Sequence, residues 1–459
     1  MAQTTFSATD FLGLSIAEIA PLIRNLQLSP VEVTERCLER ISQLDPLLNS
    51  FITVTSEQAM AEAHLAESEL VSGRWRGPLH GVPVALKDLI DVAGVPTTAA
   101  SNVLRKNVPT VDAPVVRRLR SAGAILLGKL NLHEFAYGGS GLISAYGAAK
   151  NPICPERTTG GSSSGSAAAV AAHLCFAALG TDTAGSIRLP SACCGLVGHK
   201  PTYGLVSTDG VIPLSWSFDH VGPITRTVRD AEIMMTSLAG QTFGFPRTIV
   251  QPEREPDTAA LRLGIVRDFF FDEIDPGVER CFGNAVKTLT GHVREIKETT
   301  IPVDTDRTVS TAESYAYHER FLPAQSGEYQ PATLQRILSG RDTSMTTYVE
   351  KRRELDLLRG RTRDIFTDVD VLLTPTVPIE PPLLSGLTDM ATLRRHELLM
   401  LRNTRPFNVL GLPSVTVPCG TTGSGCPVGL QITGSPGADY EVLRLAHLLE
   451  QLLSPVGGA

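Results

Sequence analysis

The sequence predicts an α/β protein with a mostly parallel or mixed sheet. A short apolar run, GVPVALK (81–87), has the length and the Gly and Pro boundaries of a buried strand. The pattern recurs in AILLGKL (124–130), directly after the helix-like segment VVRRLRSAG (115–123). Short strands return in LPSVTVP (412–418) and VGLQITG (428–434). Short buried strands that alternate with helices are typical of an α/β core.

The other elements follow from the same signals, taken in chain order. Residues 14–70 have helical periodicity, so a helical layer is expected over residues 1–75. The Ala-rich stretch 164–179 has no helix breaker after Gly165 and is expected to form one buried helix. Further on, the patterns predict strands at 261–266 and 368–376 and helices at 348–366 and 440–453. No internal repeat or low-complexity linker is found in the 459 residues, which favours one compact domain.

Composition excludes several classes of protein. The net charge of −7 and the scattered Lys and Arg residues provide no basic surface for nucleic acid. The eight cysteines form no CxxC pair and are expected to be reduced thiols, and no secretory signal precedes them, which indicates a cytoplasmic protein. The longest apolar stretch, 167–179, is too short to span a membrane. HExxH and other metal-ligand spacings are missing from the sequence, so neither a metal nor a cofactor is expected.

A serine-rich segment, GGSSSGS (160–166), raises the question of a nucleophile. It fits the G-x-S-x-G pattern with Ser163 at its centre, but that motif needs a buried strand directly before it. The preceding residues, NPICPERTT (151–159), are polar and contain prolines, which argues against such a strand. A glycine- and serine-rich turn that caps the Ala-rich helix is the structural alternative.

The segment GTDTAGSIRLPS (180–191) contains a second candidate, Ser186. A Thr-Ala-Gly-Ser turn can point successive N–H groups at one spot and so bind an oxyanion. None of the ten histidines has a patterned relation to Ser186, whereas Lys87 ends the strand-like run 81–87. Burial that lowers a lysine pKa by about three units would make it a base near neutral pH. The alternative, that Lys87 is a solvated surface charge, stays open at this point.

Five segments together resemble the amidase signature family. They are GVPVALKDLID (81–91), KLNLHEFAYG (129–138), the Gly/Ser-rich stretch 160–204, DHVGPITRTVRDA (219–231) and the C-terminal pair GLPSVTVPCG and PVGLQITG within 411–434. The resemblance covers nearly the whole chain and is weakest over about 240–400. It implies the amidase signature fold, a mixed central sheet with helices on both faces. It also implies that residues 76–459 form the catalytic part of the domain, with a divergent substrate-side region at about 240–400.

The resemblance also assigns site residues. It implies a Ser-Ser-Lys triad of Lys87, Ser162 and Ser186, with a cis peptide bond between Gly161 and Ser162. The oxyanion-hole N–H groups would come from Thr183, Ala184, Gly185 and Ser186. A structural ion pair between Asp182 and Arg188 would bracket this turn. Ser186 would form an acyl-enzyme while Lys87 and Ser162 relay the proton.

The expected substrates follow from one departure from the family. Leu205 stands where many relatives have Arg, which removes a possible anchor for polar or anionic groups. An apolar entrance is then expected from Leu205, Tyr137, Leu142, Ile143, Trp216 and Phe218, although each of them also fits core packing. Such an entrance favours neutral amides such as anilides, and also aryl carbamates, urethanes and esters, cleaved by a monomer or homodimer. The alternative function is the glutaminase (A) subunit of a tRNA-dependent amidotransferase, which works in a complex.

Overall fold

A computed structural model describes residues 10–239 and 257–453. Residues 1–9, 240–256 and 454–459 lie outside the described residues. These ranges include the start of the predicted N-terminal layer, the start of the 240–400 region and the end of the predicted catalytic part.

The centre of the fold is one mixed sheet of eleven strands, in the order β1-β3-β2-β4-β6-β5-β10-β11-β9-β7-β8. Strands β3, β2 and β4 run parallel to one another, as do β9, β7 and β8, while the strands between the two groups are antiparallel. The strands are β1 Phe51–Val54, β2 Pro83–Lys87, β3 Ile125–Leu130, β4 Ala177–Asp182, β5 Val197–Lys200, β6 His220–Thr225, β7 Arg262–Val266, β8 Glu295–Thr299, β9 Val371–Pro375, β10 Ser414–Thr421 and β11 Pro427–Gly434. The predicted mixed sheet is thereby confirmed.

Helices cover both faces of this sheet. They are α1 Ile16–Arg24, α2 Pro30–Leu48, α3 Ser56–Val71, α4 Pro114–Ser121, α5 Ser164–Ala171, α6 Arg188–Cys193, α7 Val228–Ala239, α8 Pro276–Leu289, α9 Thr308–His318, α10 Leu322–Gln325, α11 Pro331–Leu338, α12 Met345–Gly360, α13 Met390–Met400, α14 Arg405–Val409 and α15 Asp439–Leu453. Several begin where the sequence supplies a side-chain cap, as at Ser29, the hydroxyl of which accepts the N–H of Val31 at 3.0 Å. The strands and helices predicted in the second half of the chain are present with shifted ends.

Two predicted helical stretches are wrong in part. The stretch 14–70 contains β1, which adds an antiparallel edge strand beside β3, with Phe51 opposite Leu130. The Ala-rich stretch 164–179 is not one helix, because α5 ends at Ala171 and β4 begins at Ala177. His173 lies between them with a φ of 56° and so is not in the middle of a helix. Pairing with β2 and β6 outweighs the helix propensity of the alanines in β4.

The parallel neighbours β2 and β4 position the residues of interest. The carboxyl ends of parallel strands meet at the same edge of a sheet, where clefts for ligands commonly form. Lys87 is the last residue of β2, and Asp182 is the last residue of β4. Both strands are buried at every position, which brings Lys87 and Asp182 to this edge inside the protein.

Candidate active site

Lys87 is fully buried and makes contact with two hydroxyl groups. Its Nζ lies 2.7 Å from Ser162 Oγ and 2.8 Å from Thr181 Oγ1, the latter on β4. No described residue makes an ion pair with it. The alternative that Lys87 is a solvated surface charge is therefore wrong.

Burial changes the ionisation of Lys87. Removal from water lowers the pKa of this amine to about 7, although the negative charges of Asp182 and Asp219 oppose the shift. A lysine in water has a pKa near 10.4, so it would carry a proton at neutral pH. In this site a large share of Lys87 is neutral at pH 7 and has a free electron pair that can accept a proton.

Two other buried lysines show what sets Lys87 apart. Lys129 lies 2.9 Å from Asp88, and this ion pair balances its charge. Lys200 donates to the carbonyl oxygens of Leu412 and Pro201. Lys129 also donates to a hydroxyl, Thr97 Oγ1, at 2.7 Å. Among these three lysines, only Lys87 contacts a serine and lacks an ion pair, since Lys129 is neutralised by Asp88 and Lys200 donates to backbone carbonyl groups.

The serine-rich segment leads to α5 through a tight turn. The peptide bond between Gly161 and Ser162 is cis, and a Cβ on Gly161 would lie 2.6 Å from the backbone nitrogen of Gly141. Ser163 Oγ is held by the backbone of Thr181, at 3.3 Å from the carbonyl oxygen and 3.4 Å from the nitrogen. Residues 151–159, directly before this segment, form no strand, so the context that a G-x-S-x-G nucleophile at Ser163 requires is missing.

The turn from β4 to α6 is built around the carboxylate of Asp182. This carboxylate accepts the N–H groups of Gly185 at 2.7 Å and Ile187 at 3.1 Å. The guanidinium of Arg188 donates to both carboxylate oxygens at 3.0 Å, so the predicted ion pair is present in the structure. Burial would raise the pKa of Asp182, but the charge and the hydrogen bonds of Arg188 hold it well below its usual range.

Arg188 has further partners that fix the turn to distant parts of the sheet. It donates to Gln431 Oε1 and to Asn408 Oδ1, each at 2.6 Å. Asn408 in turn donates to Asp182 Oδ1 at 2.8 Å. Every polar group of this buried cluster thus has a partner, as buried charges require.

The backbone N–H groups of the turn differ in what they bind. The N–H of Gly185 already donates to Asp182, which argues against its predicted role as an oxyanion donor. In the described part of the chain, the N–H groups of Thr183, Ala184 and Ser186 have no acceptor. Three of the four predicted donors therefore remain available to a ligand.

Ser186 lies at the wall of a cleft that encloses about 580 Å³, part of it open to solvent. Its carbonyl oxygen accepts the N–H of Ser163 at 3.3 Å, which joins the turn to the serine-rich segment. The cleft is lined by Ala136, Tyr137, Gly138, Thr183, Ala184, Ser186, Leu214, Phe218, Arg307, Ser310, Arg394, Leu401, Arg405 and Val409. The structure thus brings Lys87 and Ser162 into contact and exposes Ser186 to the cleft.

The structure places two of the six predicted substrate-binding residues in the cleft. Tyr137 and Phe218 line the cleft, whereas Leu142 and Ile143 are half-buried outside it. Two other positions also fail, since Leu205 is 2% exposed within the main hydrophobic core and Trp216 is 46% exposed to solvent away from the cleft. Closeness in sequence to the serine-rich stretch did not place these side chains in the cleft, because the loop after β5 turns Leu205 inward and Trp216 outward.

Sequence reasoning missed the charged part of the lining. Arg307, Arg394 and Arg405 reach the cleft from a region in which no motif was found. Arg307 is far from the other two along the chain, and the three lie in or beside three different helices, so no local spacing marks them as a group.

Arg188→Met is expected to lower the free energy of unfolding by about 3–5 kcal/mol, because it leaves Asp182 charged and buried without its ion pair. Urea unfolding followed by circular dichroism measures the loss. Arg262→Met is the matched control, since the pair between Arg262 and Asp370 is solvated at 28% and 35% side-chain exposure and should contribute far less. Equal losses for the two variants would contradict this account of the turn.

Gly185→Ala is expected to reduce kcat at least about 100-fold by shifting the turn that carries Ser186. Gly185 has a φ of 139°, and a Cβ there would lie 2.0 Å from Thr404 Oγ1. The control is Gly283→Ala in α8, where no heavy atom lies within 4 Å, and where alanine should stabilise the helix by about 1 kcal/mol. Steady-state kinetics and thermal unfolding of both variants test this, and unchanged kcat in Gly185→Ala would speak against a tightly fitted turn.

Two further features of the described residues bear on broader classes of protein. None of the helices over 10–239 and 257–453 has both the length and the apolar character needed to cross a bilayer. Within the same ranges, His, Cys, Asp and Glu side chains do not gather into a group of three suited to a metal ion.

Comparison with known proteins places the chain in a family. A family model described as Amidase matches residues 32–443. The chain is 36% identical to the A subunit of glutamyl-tRNA(Gln) amidotransferase from Geobacter metallireducens, over 96% of this chain and 98% of that protein. It is also 36% identical to the putative amidase AmiD of Mycobacterium bovis, over 96% of this chain and 94% of that protein.

A solved structure supports the same placement. The native peptide amidase from Stenotrophomonas maltophilia superposes with a TM-score of 0.81 at 30% identity, covering 97% of this chain and 98% of that one. The sheet and helices described above are thus similar to those of an amidase over almost their full length. The chain therefore belongs to the Amidase family, enzymes that hydrolyse amide C–N bonds.

Proposed function

We propose that this protein is a stand-alone serine hydrolase of amides in which Ser186 is the nucleophile and Lys87 the base. The contact between the buried Lys87 Nζ and Ser162 Oγ, at 2.7 Å, carries the proposal. A base needs an electron pair at working pH, and the pKa of about 7 that burial gives Lys87 supplies it. We assign Ser162 the role of passing the proton between Lys87 and Ser186, because its chain neighbour Ser163 donates its N–H to the Ser186 carbonyl oxygen at 3.3 Å.

The reaction proceeds in two halves. Ser186 Oγ attacks the amide carbonyl carbon and passes its proton to Ser162, which passes its own proton to Lys87 Nζ. The tetrahedral intermediate collapses as the proton returns through Ser162 to the leaving nitrogen, and an amine departs from the acyl-enzyme. Water, deprotonated by the same relay, attacks the ester carbonyl and releases the carboxylic acid and free Ser186.

The backbone of the turn stabilises the charge that develops on the carbonyl oxygen. We assign this role to the N–H groups of Thr183, Ala184 and Ser186, which have no acceptor among the described residues. Gly185 and the ion pair of Asp182 with Arg188 hold the backbone in place instead. Removing one donor from such a site typically costs about 2.7–4 kcal/mol of barrier.

Anilides, aryl carbamates and esters remain within the proposed substrate range, because all present a carbonyl that Ser186 can attack. From a carbamate, expulsion of the alcohol leaves a carbamoyl group on Ser186, and water releases it as a carbamic acid that loses carbon dioxide to give the amine. Expulsion of the amine instead leaves a carbonate ester on Ser186, and water releases it as a carbonic acid monoester that loses carbon dioxide to give the alcohol. The expectation of uncharged substrates keeps only part of its support, since Tyr137 and Phe218 line the cleft whereas Leu142, Ile143, Leu205 and Trp216 do not.

The second candidate is the glutaminase component of a tRNA-dependent amidotransferase. The 36% identity to the A subunit of such an enzyme favours it. The two candidates differ in their need for other chains: we propose that this protein acts as a monomer or homodimer, whereas a glutaminase component would act within a complex.

Assay of the purified chain alone separates the two candidates. Turnover of simple aryl amides without added protein is the expected result, with glutamine a poorer substrate. Activity on glutamine that appears only when the other amidotransferase chains are added, with none on aryl amides, would favour the second candidate. The Ser186→Ala variant is the control for contaminating hydrolases.

A further inference from the structure

We propose that the cleft selects amides that carry a carboxylate, and that Arg307, together with Arg394 and Arg405, binds this carboxylate. The inference rests on the proposed function only in taking the cleft beside Ser186 as the substrate site. It names a substrate class opposite to the one expected from the sequence, where Leu205 in place of an arginine argued against anionic substrates.

Three arginines line the same cleft as Ser186. Arg307 directly precedes α9, Arg394 lies on α13 and Arg405 is the first residue of α14. Among the residues that line the cleft there is no aspartate or glutamate. The cleft wall therefore carries a concentration of positive charge, although the whole chain has a net charge of −7.

The partners of the three arginines leave this charge largely uncompensated. Arg405 donates to the backbone carbonyl oxygens of Asp304 and Asp306, which orient the guanidinium but carry no net charge. Arg394 lies 3.5 Å from Glu397 Oε2, and Arg336 binds the same oxygen more closely, at 2.7 Å. Arg307 makes no ion pair with a described residue.

Among the three arginines, Arg307 is expected to be stabilised most by a bound anion. Burial, together with the nearby charges of Arg405 and Arg394, lowers the pKa of Arg307 to about 10, so it remains charged at neutral pH. A charge held in a half-buried site beside like charges is unfavourable until an opposite charge binds. A planar guanidinium suits a carboxylate, because two parallel N–H groups can donate to its two oxygens.

The rest of the lining fits an apolar part between the carboxylate and the amide. Leu214, Phe218, Leu401 and Val409 share the cleft with the arginines and with Ser186. The substrate class is thus a half-amide of a short dicarboxylic acid, or an amide of similar length with a terminal carboxylate.

The test measures binding without turnover. Calorimetry on the Ser186→Ala variant compares succinamate with butanamide, glutaramate with pentanamide, and adipamate with hexanamide, so that each pair differs by a carboxylate in place of a methyl group. We expect at least one half-amide to bind at least tenfold more tightly than its uncharged match at low salt, and this ratio to fall as salt is added. A ratio below tenfold in all three pairs would overturn the inference.

Variants of the cleft arginines test which side chain causes the preference for a carboxylate. In the Ser186→Ala background, Arg307→Gln is expected to reduce the affinity ratio of half-amide to uncharged amide at least fivefold. Arg394→Gln should also reduce this ratio, and Arg307→Lys should reduce it less than Arg307→Gln does. Arg353→Gln, which removes the same charge from an exposed position on α12, is expected to leave the ratio unchanged. An unchanged ratio in Arg307→Gln, or an equal drop in Arg353→Gln, would overturn the assignment to Arg307.

The same design keeps this inference separate from the proposed function. The preference for a carboxylate is measured on a variant that lacks the nucleophile, so it does not depend on catalysis. Failure of the wild-type protein to hydrolyse any member of the three pairs, with a carboxylate preference intact, would count against the proposed reaction alone. Turnover of uncharged amides without any carboxylate preference would count against this inference alone.

Discussion

Ser186→Ala is expected to lower kcat for amides and esters at least about 10⁴-fold, with the fold intact. The loss is large because the proposed acyl-enzyme forms on Ser186, so residual catalysis would come from binding and the oxyanion donors alone. Ser186 is 5% exposed and lies on a cleft wall, so alanine there removes one hydroxyl and leaves no cavity in a packed core. Steady-state kinetics and urea unfolding of the same preparation check both parts.

Ser163→Ala is the matched control for Ser186. The hydroxyl of Ser163 bonds only to the backbone of Thr181, so its loss should cost about 1 kcal/mol of stability and leave most of the turnover. A fluorophosphonate probe should label Ser186 in the wild type and nothing in Ser186→Ala. Labelling at Ser163 would show that Ser186 is not the nucleophile and would support Ser163 at the centre of the G-x-S-x-G pattern instead.

The position of Lys87 illustrates what a sequence can predict. The run of Val82, Val84 and Leu86 has the length and boundaries of a buried strand, and the structure has β2 there, with Lys87 as its last residue. A lysine that ends a buried strand is itself expected to be buried, because its backbone belongs to that strand. What the run could not show is the partner, because Ser162 is 75 residues away and meets Lys87 only through the packing of α5 on the sheet.

The errors have physical causes of two kinds. The strand β4 was taken for helix because its alanines favour a helix, and because a strand buried on both faces shows no alternation of polar and apolar residues. Four of the six predicted entrance residues lie outside the cleft, because chain proximity to Ser186 was used where spatial proximity was needed. Arg307 and Arg405 are separated from the serine by more than a hundred residues and reach it only through the folded chain.

Lys87→Met is expected to abolish amide turnover to within about tenfold of Ser186→Ala, and to reduce ester turnover less. An amine leaves only after it receives a proton from the relay, whereas an alkoxide or phenoxide leaves more readily without one. Methionine is similar in volume to a neutral lysine in this fully buried position, so the variant should fold with its stability kept or raised. Parallel assays on an anilide and on the matching phenyl ester measure the difference.

The pH profile tests whether Lys87 is the base. Protonation removes the electron pair that accepts the proton of Ser162, so activity should be low in acid, rise through an apparent pKa of about 7 and stay high on the alkaline side. Burial also raises the pKa of Asp219 to about 7, against hydrogen bonds from Thr183 and from backbone N–H groups that lower it, so Asp219 is the competing origin of such a step. The residual ester activity of Lys87→Met should lose the step near pH 7 if Lys87 causes it, and Asp219→Asn should keep it.

Lys129→Met provides the matched control, because Lys129 is another buried lysine in a neighbouring strand. Its ion pair with Asp88 at 2.9 Å is structural, so the substitution should cost about 3–5 kcal/mol of stability while the folded enzyme keeps its pH profile. Lys87→Met should show the opposite pattern, with stability kept and the acidic limb of the profile lost. Near-normal anilide turnover by Lys87→Met, or a step near pH 7 that persists in it, would mean that the proton of Ser186 goes elsewhere than to Lys87.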